Sequence, residues 1–382
     1  MKNKIKYIFI FLFSFYYNFL YSYEIVRDPI FEDYFSNISK NLVPDYVNVY
    51  LVKNNEPNAF VLNDCIYITT GLLEVIEKED TLKAIYLHEY GHLAYKHLQT
   101  KKINNQISNN KNNFFNLFSL GIAVISGSSN IGIGTSLSLN NNLINEISKH
   151  SINSEIEADN YMIMHIKKNK INTSELIFFL KQLPDNKNNY FKTHPNNNDR
   201  ISNLNKISFN PSDNSVMFNW IKSKYSKNSE NIIYNEYFKN LEKGIIDQNL
   251  KIQNVSEYIV QYEAFKKGLN LKNWDDNFQK LLLINSNTFL KIEYINYLLD
   301  NNIKDKYNII QNLKFDDHII DEYFYNYIYG KYYNKIGKIS LSNFYFCQFY
   351  KTIGSKDKAD FFCNKFDIKN IPILDKSYAL FK

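Results

Sequence analysis

Cysteine is scarce in this chain of 382 residues, which contains only Cys65, Cys347 and Cys363. Three cysteines are too few for a disulfide framework, and they are the wrong set for a cysteine-based zinc site. Cys347 and Cys363 lie in neighbouring predicted helices. Two alternatives stay open for this pair: a disulfide in an exported protein, or two buried thiols.

A strong charge of one sign is also absent. The net charge is +6, and Lys2, Lys4 and Lys6 contribute three of these charges. These lysines lie in a segment that we expect to be removed, which leaves +3 for the mature chain. No basic stripe interleaved with aromatic residues is present either, so the composition gives no indication of a nucleic-acid partner.

Long hydrophobic runs are missing as well. The run Tyr7–Tyr21 follows the three lysines; it is short for a membrane span and suits the core of a signal peptide. We expect a signal peptide at residues 1–22, with cleavage after Ser22. The alternative is an uncleaved anchor at residues 7–21. Both interpretations export the body of the protein, and the periplasm is the predicted location.

Between residues 24 and 69, hydrophobic periodicity predicts one helix and three strands. These elements are a helix at 24–42 and strands at 47–52, 59–62 and 66–69. Asn63 and Asp64 form a good turn pair between the last two strands. We therefore expect a small antiparallel sheet.

Two longer helices are predicted to carry the polar motifs. The first begins at Asp80, a good N-cap residue, and ends near Leu98. The second runs from about 143 to 168 and contains the sequence SEIEAD. Between them, the apolar start of residues 114–139 predicts a core or membrane-surface helix followed by a loop. A hairpin inserted in a membrane is the alternative for this segment.

The first of these helices contains a His-Glu-x-x-His motif, formed by His88, Glu89 and His92. Residues four apart share a helix face, so the two imidazoles can point at one metal ion. Zinc binds imidazole nitrogen well, and a neighbouring carboxylate can take a proton from an activated water. The chain has only seven histidines, and a chance match is expected in about one such sequence per hundred. The motif therefore predicts a catalytic zinc site that needs a third ligand.

The second helix supplies a candidate for that ligand. Glu155 and Asp159 are also four apart and share a face. Glu155 can complete a His₂Glu site, and Asp159 can accept a hydrogen bond from the second nitrogen of a ligating histidine. Glu157 points to the opposite side and is the rival ligand.

The separated motifs resemble those of the M48 metallopeptidases, of the gluzincin class, over about residues 27–202. The matching pieces, in the same order and spacing, are Asn58-Ala59-Phe60, Ile68-Thr69-Thr70-Gly71-Leu72, His88-Glu89-Tyr90-Gly91-His92 with His97, Glu155-x-x-Ala158-Asp159, and Thr193-His194-Pro195 with Arg200. Together they are far more specific than the His-Glu-x-x-His motif alone.

The resemblance implies roles for the matching residues. It implies one Zn²⁺ per chain, held by the two motif histidines and Glu155, with Glu89 as general base. Residues 58–60 would form an edge strand to which an extended peptide adds. His194 would stabilise the developing oxyanion or fill the open position on zinc, and Arg200 would hold the loop or share the oxyanion role. His97 is expected to be structural.

Beyond residue 207 the chain reads as a series of short helices. They are predicted at 216–226, 230–243, 255–268, 273–285, 288–300, 303–313, 318–335 and 340–365. Their spacing loosely resembles tetratricopeptide pairs, although the period is not clean. The expected fold class is α+β: a mainly helical zincin-like metalloprotease domain with a small antiparallel sheet, then an all-α helical-repeat domain. The expected division is 1–22 signal peptide, 23–206 peptidase domain and 207–382 helical array.

This whole arrangement resembles periplasmic quality-control proteases that act beside outer-membrane protein assembly. The resemblance implies a zinc metalloendopeptidase that cleaves protein substrates such as misfolded envelope proteins, with the helical array binding assembly partners. One alternative is a chaperone or assembly factor whose protease site is largely silent. Another is a membrane-embedded M48 protease with residues 114–139 inserted. A third alternative is a peripheral membrane contact through those residues.

Overall fold

A computed structural model describes most of the chain. The described residues are 23–62, 64–97, 118–119, 137–139, 151–182, 197–227, 229–245, 252, 254–267, 274–285, 287–301, 319–352 and 355–366. The predicted signal peptide at 1–22 and His194 lie outside them. So does most of the segment 114–139.

Six strands form one sheet in the order β3-β4-β2-β1-β6-β5. The strands are β1 Tyr23–Val26, β2 Val49–Lys53, β3 Ala59–Leu62, β4 Cys65–Thr69, β5 Phe118–Ser119 and β6 Leu137–Leu139. Every side chain of β3 and β4 is buried, and so are the first four of β2. Continuous apolar runs of this kind are typical of strands covered on both faces.

The sheet is mixed, so the prediction of an antiparallel sheet was wrong in one pairing. β3 and β4 do form the expected antiparallel hairpin, with Asp64 in the left-handed region at φ 58°. β2 and β4, however, run parallel, with Tyr50 opposite Tyr67. The chain leaves β2, forms β3 at the end of the sheet and returns as β4 between the two. Strand periodicity marks the strands but does not specify which of them become neighbours.

Fourteen helices lie among the described residues. They are α1 Pro29–Leu42, α2 Thr70–Val75, α3 Glu79–Ala94, α4 Ile152–Asn169, α5 Ser174–Gln182, α6 Asn197–Leu204, α7 Val216–Tyr225, α8 Ile232–Glu242, α9 Glu257–Lys266, α10 Trp274–Ile284, α11 Thr288–Asp300, α12 Ile319–Lys335, α13 Ile339–Thr352 and α14 Lys356–Cys363. In the described part of the chain, no helix has the length and apolar character needed to cross a membrane.

Three predicted helix starts were wrong. α1 begins at Pro29, after the cap Asp28, because residues 23–26 belong to β1 instead. α4 begins at Ile152, where the side chain of Ser151 accepts a hydrogen bond from the backbone N–H of Ser154. The N-cap of α3 is Lys78, and Asp80 accepts hydrogen bonds from distant groups instead of capping the helix.

The segment predicted as an apolar helix at 114–139 contributes the two short strands β5 and β6. They pair with each other, and β6 also pairs with β1. A helix therefore does not include 118–119. The remainder of this segment lies outside the described residues, and the membrane hypotheses attached to it stay predictions.

The hydrophobic core continues across the predicted boundary at residue 207. One cluster of buried residues includes Phe31 and Leu51 from the first part, and Trp220, Tyr262 and Leu290 from the helices that follow. The amide of Asn285 also donates to the backbone carbonyl of Pro29 (3.1 Å). The peptidase segment and helices α7–α11 are therefore packed against each other through apolar and polar contacts.

The last three helices form a hairpin-like unit with its own small core. The helical segment predicted at 340–365 consists of two helices, α13 and α14. Of the two alternatives for Cys347 and Cys363, the structure contains the disulfide, which joins these helices. Cys65 is buried in β4 and is not part of it. The repeat character of the helices after residue 207 stays a prediction.

Candidate metal centre

Helix α3 carries the central motif in its buried C-terminal half. His88 is 1% exposed, and Glu89 and His92 are 0% exposed. The four-residue spacing brings the two imidazoles together, with their Nε2 atoms 3.1 Å apart. Glu89 follows His88 and therefore projects about 100° further around the helix. The helix supplies two nitrogen donors and one neighbouring carboxylate in a site shielded from water.

Helix α4 packs closely against α3 and brings the third donor. Gly91 makes this close approach possible, because a Cβ at that position would lie 2.9 Å from the Cα of Ala158. Glu155 is 3% exposed. Its Oε2 lies 3.4 Å from Nε2 of His88, and its Oε1 lies 3.4 Å from Nε2 of His92. The two predicted helices thus meet at the three predicted ligands.

The spacing of these donors suits zinc. Zinc–nitrogen bonds of about 2.0–2.1 Å in a tetrahedral arrangement place ligand atoms about 3.3 Å apart. The separations of 3.1 and 3.4 Å among the three side chains agree with that value. All three side chains are buried, and they form a group that can hold a metal ion. Two imidazoles and one carboxylate leave a fourth position for water or substrate, as in catalytic zinc sites.

Asp159 lies behind His88, and Arg200 contacts both residues, with its Nη2 3.0 Å from Nδ1 and 3.1 Å from Nε2 of His88. Asp159 Oδ1 is 2.8 Å from Nδ1 of His88, which therefore donates its proton there when Nε2 faces a metal. Arg200, from helix α6, is 5% exposed and donates to Asp159 through Nε and Nη2. Its Nη2 also lies 3.5 Å from Oε2 of Glu155. The predicted oxyanion or loop-holding residue thus lies against the carboxylate that orients a ligand.

Charge in this buried group changes two pKa values. Burial raises the pKa of Asp159, but the Arg200 charge and the hydrogen bond from His88 outweigh it and hold that pKa far below its usual range. Burial and Arg200 lower the pKa of His88, whereas hydrogen bonds to Asp159 and Glu155 outweigh them and raise it to about 9. Metal binding at His88 Nε2 therefore displaces a proton.

A second set of contacts lies behind His92, and the sequence prediction had not connected it to the metal site. His97 Nδ1 is 2.9 Å from Nδ1 of His92, and His97 Nε2 is 2.7 Å from Oε2 of Glu157. Glu157, the rival ligand, therefore contacts His97 and is not in the group that can hold the metal. The sequence contains a third histidine five residues after His92, but no local pattern indicates that the two rings meet.

Helices α3 and α4 carry the candidate ligands, and Asp159 of α4 contacts the ring of His88. A model of peptidase family M48 matches residues 30–208. The match includes every ligand and contact residue described above, and supports the M48 family for this part of the chain. It indicates metallopeptidase activity in general terms. No curated protein matches the chain.

Within the M48 segment, the predicted substrate strand lies beside the centre. β3 is at the end of the strand order and, among the described residues, pairs with β4 alone. The backbone N–H of Asn58, just before β3, donates to Thr69 Oγ1 (2.9 Å). Ala59 and Phe60 are buried. This arrangement orients β3 firmly against β4 and the adjacent helix α3.

Proposed function

We propose that this protein is a zinc-dependent M48 endopeptidase. The observation that carries the proposal is the spacing of three buried donor atoms, from His88, His92 and Glu155, at the separations of a tetrahedral zinc site. The match to the M48 family model supports it. The coordinating residues fit one Zn²⁺ per chain.

Bound zinc would supply Lewis-acid chemistry and lower the pKa of a water molecule toward about 7. The chain's own residues do the rest. Glu89 accepts the proton from the attacking water and passes it to the leaving amine. Asp159 keeps the proton of His88 on Nδ1, so that Nε2 remains available as a donor. His194 is proposed as the residue that stabilises the oxyanion or closes the fourth position.

The proposed substrates are extended peptide segments of proteins. Support comes from β3, whose position at the end of the sheet suits the addition of a peptide by backbone hydrogen bonds. Residues 58–60 would then lie along the scissile segment. A peptide held in this way contributes its main chain to binding, which is consistent with broad acceptance of misfolded proteins.

The proposed location is the periplasm. The disulfide between Cys347 and Cys363 supports export, because such bonds persist in oxidising compartments. We propose that helices after residue 207 bind partners in envelope quality control, outer-membrane assembly factors among them.

Two variants and one control test the peptidase. Purified protein should contain one zinc per chain, and Glu155→Ala should lose it, whereas Glu157→Gln, two residues along α4, should keep it. Glu89→Gln should retain zinc and the fold but lose cleavage of an unfolded protein such as casein by at least about 10³-fold, because proton transfer is lost. Zinc retained in Glu155→Ala, or cleavage retained in Glu89→Gln, would contradict the proposal. Full rescue of a deletion strain by Glu89→Gln would favour the chaperone alternative.

A further inference from the structure

The second ring nitrogen of His92 faces a histidine rather than a carboxylate. His92 Nδ1 lies 2.9 Å from Nδ1 of His97. When Nε2 of His92 binds zinc, its proton is on Nδ1, so His92 is the donor and His97 Nδ1 must be the acceptor. This assignment rests on the proposed zinc site.

The same reasoning fixes the proton of His97. Because its Nδ1 accepts, the proton of a neutral His97 is on Nε2. That nitrogen lies 2.7 Å from Oε2 of Glu157, which accepts. Two hydrogen bonds therefore run in one direction, from His92 through His97 to Glu157. Each donor faces an acceptor.

The end of helix α3 holds His97 in this position. Tyr95 is the C-cap, and Lys96 follows it in the left-handed region at φ 54°. The N–H of Lys96 donates to Leu93 O (2.9 Å), and the N–H of His97 donates to His92 O (3.0 Å). These are the two hydrogen bonds of a Schellman turn, which folds the second residue after the cap back over the last helical turn. The backbone itself therefore carries His97 to His92.

Packing then fixes the ring of His97. The side chain is 6% exposed. The ring of Tyr95 stacks on it, with centroids 5.7 Å apart and planes 19° apart. Glu157, in contrast, has a side chain that is 55% exposed. The two hydrogen bonds from His92 through His97 to Glu157 form a relay, which begins at the buried centre and ends at the protein surface.

The two histidine ligands are consequently supported in different ways. His88 is held by a charged carboxylate, Asp159, which Arg200 neutralises. His92 is held by a neutral imidazole. We propose that His97 is a positioning residue, which fixes the tautomer and the ring orientation of His92, and that Glu157 orients His97. The three acidic residues of α4 then have different roles. Glu155 is the ligand, Asp159 orients His88, and Glu157 orients His97.

The zinc dissociation constant, measured by competition with a chelator, tests this proposal without peptidase activity. His97→Ala should weaken zinc binding by about 10–100-fold, the usual effect of losing a group that orients a ligand. The matched control is His165→Ala, which removes another histidine that is 6% exposed and lies on α4, where its ring stacks on Tyr161. It should keep the wild-type constant. His97→Gln retains an acceptor and should recover most of the lost affinity.

A second pair of variants uses the exposed end of the relay, where the fold tolerates substitution. Glu157→Gln and Glu157→Leu both remove the charge, but Gln retains an oxygen that can accept from His97. Gln should therefore stay near wild type, and Leu should weaken binding about threefold to tenfold, less than His97→Ala because water can reach this position.

The outcomes separate the two proposals. If wild-type protein binds no zinc, the proposed function fails and the relay fails with it. If wild type binds zinc but His97→Ala binds it as tightly as His165→Ala does, the relay is overturned while the zinc site stands. Equal affinities for Glu157→Gln and Glu157→Leu would overturn the part assigned to Glu157.

Discussion

Arg200 holds Asp159 through two nitrogens: its Nε lies 2.9 Å from both carboxylate oxygens, and its Nη2 lies 2.7 Å from Oδ1. Asp159 in turn contacts Nδ1 of His88 at 2.8 Å. The three side chains form a series in which a permanent positive charge keeps the partly buried carboxylate ionised. The ionised carboxylate keeps the proton of His88 away from the nitrogen that faces the metal site.

Replacing Arg200 by Gln should therefore weaken zinc binding by about tenfold, because Asp159 loses its charge partner and moves from its position behind His88. Arg200→Lys keeps the positive charge but cannot bind Asp159 in a bidentate manner, so it should give an intermediate loss of zinc affinity. Chelator competition measures both. If Arg200→Gln binds zinc like wild type but loses turnover, the side chain acts on substrate, which is the oxyanion role among the two that the resemblance implied.

Gly91 controls the distance between the two helices that carry the ligands. A methyl group there would lie 2.9 Å from Ala158 Cα and 3.1 Å from Ala158 O, both backbone atoms that cannot rotate away. Gly91→Ala should push α4 outward, carry Glu155 away from the imidazoles and destabilise the fold by about 1–3 kcal/mol. The gain in helix propensity offsets about 1 kcal/mol of this.

Thermal unfolding of the metal-free protein and the zinc dissociation constant together test the role of Gly91. In Gly91→Ala the unfolding temperature should fall and the zinc dissociation constant should rise. Gly244→Ala is a useful comparison, because Gly244 follows α8 at φ 74° and has open space around it. It should lower stability through backbone strain but leave zinc affinity unchanged. Unchanged zinc affinity in Gly91→Ala would show that the helices can separate without moving Glu155.

The side chains that could hold a metal ion could be picked out from the sequence because short-range geometry sets their spacing. His88 and His92 share one helix face by spacing alone, as do Glu155 and Asp159. The contact of His97 with His92 depends on a left-handed residue at Lys96, where glycine would have signalled the turn. Nothing in the local pattern marks it. The three proposed ligands could therefore be predicted from the sequence, but the hydrogen bonds from His92 through His97 to Glu157 could not.

The same distinction applies to the fold. Helices α3 and α4 and the β3–β4 hairpin follow local patterns and were predicted, although α4 begins about nine residues later than expected. The placement of β4 between β2 and β3 and the inclusion of residues 23–26 in the sheet depend on long-range pairing. The start of α3 was missed for a similar reason. Its first N–H groups are bound by Glu175 and Asn214 from distant elements.

A buried ionic network joins the start of the peptidase segment to the helices that follow. Asp28 caps α1 with one carboxylate oxygen, and its other oxygen accepts from Lys224 (2.9 Å) and from Tyr225. Lys224 also binds Glu263 of α9. Burial raises the pKa of Asp28, but the charge of Lys224 and the hydrogen bonds outweigh it, so this pKa lies below its usual value.

Asp28→Asn should lower the free energy of unfolding at pH 7 by about 3–5 kcal/mol, because it breaks a buried ion pair. Asparagine can still cap the helix, so the change removes little besides the charge. A carboxylate with a lowered pKa stabilises the fold above its unfolded value, near pH 4, and loses that contribution as the pH falls further. The difference between wild type and variant should therefore shrink below about pH 4.

Urea unfolding at pH 7, 5 and 3.5 would check this dependence. Glu263 is a suitable comparison because its pKa is shifted the other way: burial raises it and outweighs the attraction of Lys224. Glu263→Gln should therefore cost less stability at pH 7 than Asp28→Asn, and its cost should grow rather than shrink as the pH falls toward the unfolded pKa of glutamate. Equal losses for Asp28→Asn at pH 7 and pH 3.5 would contradict a charge-based role.

The disulfide between Cys347 and Cys363 should stabilise the C-terminal helices without acting on the metal centre. It joins α13 to α14 across a sequence separation of 16 residues. A loop of this length is expected to contribute about 3 kcal/mol, by limiting the unfolded chain. The double variant Cys347→Ala/Cys363→Ala should therefore make this unit more sensitive to protease, with zinc affinity unchanged. Thiol labelling in denaturant should find one reactive cysteine, Cys65, before reduction and three afterwards. Three labelled thiols in protein purified from its native compartment would show that the bond does not form there, and would remove one support for export.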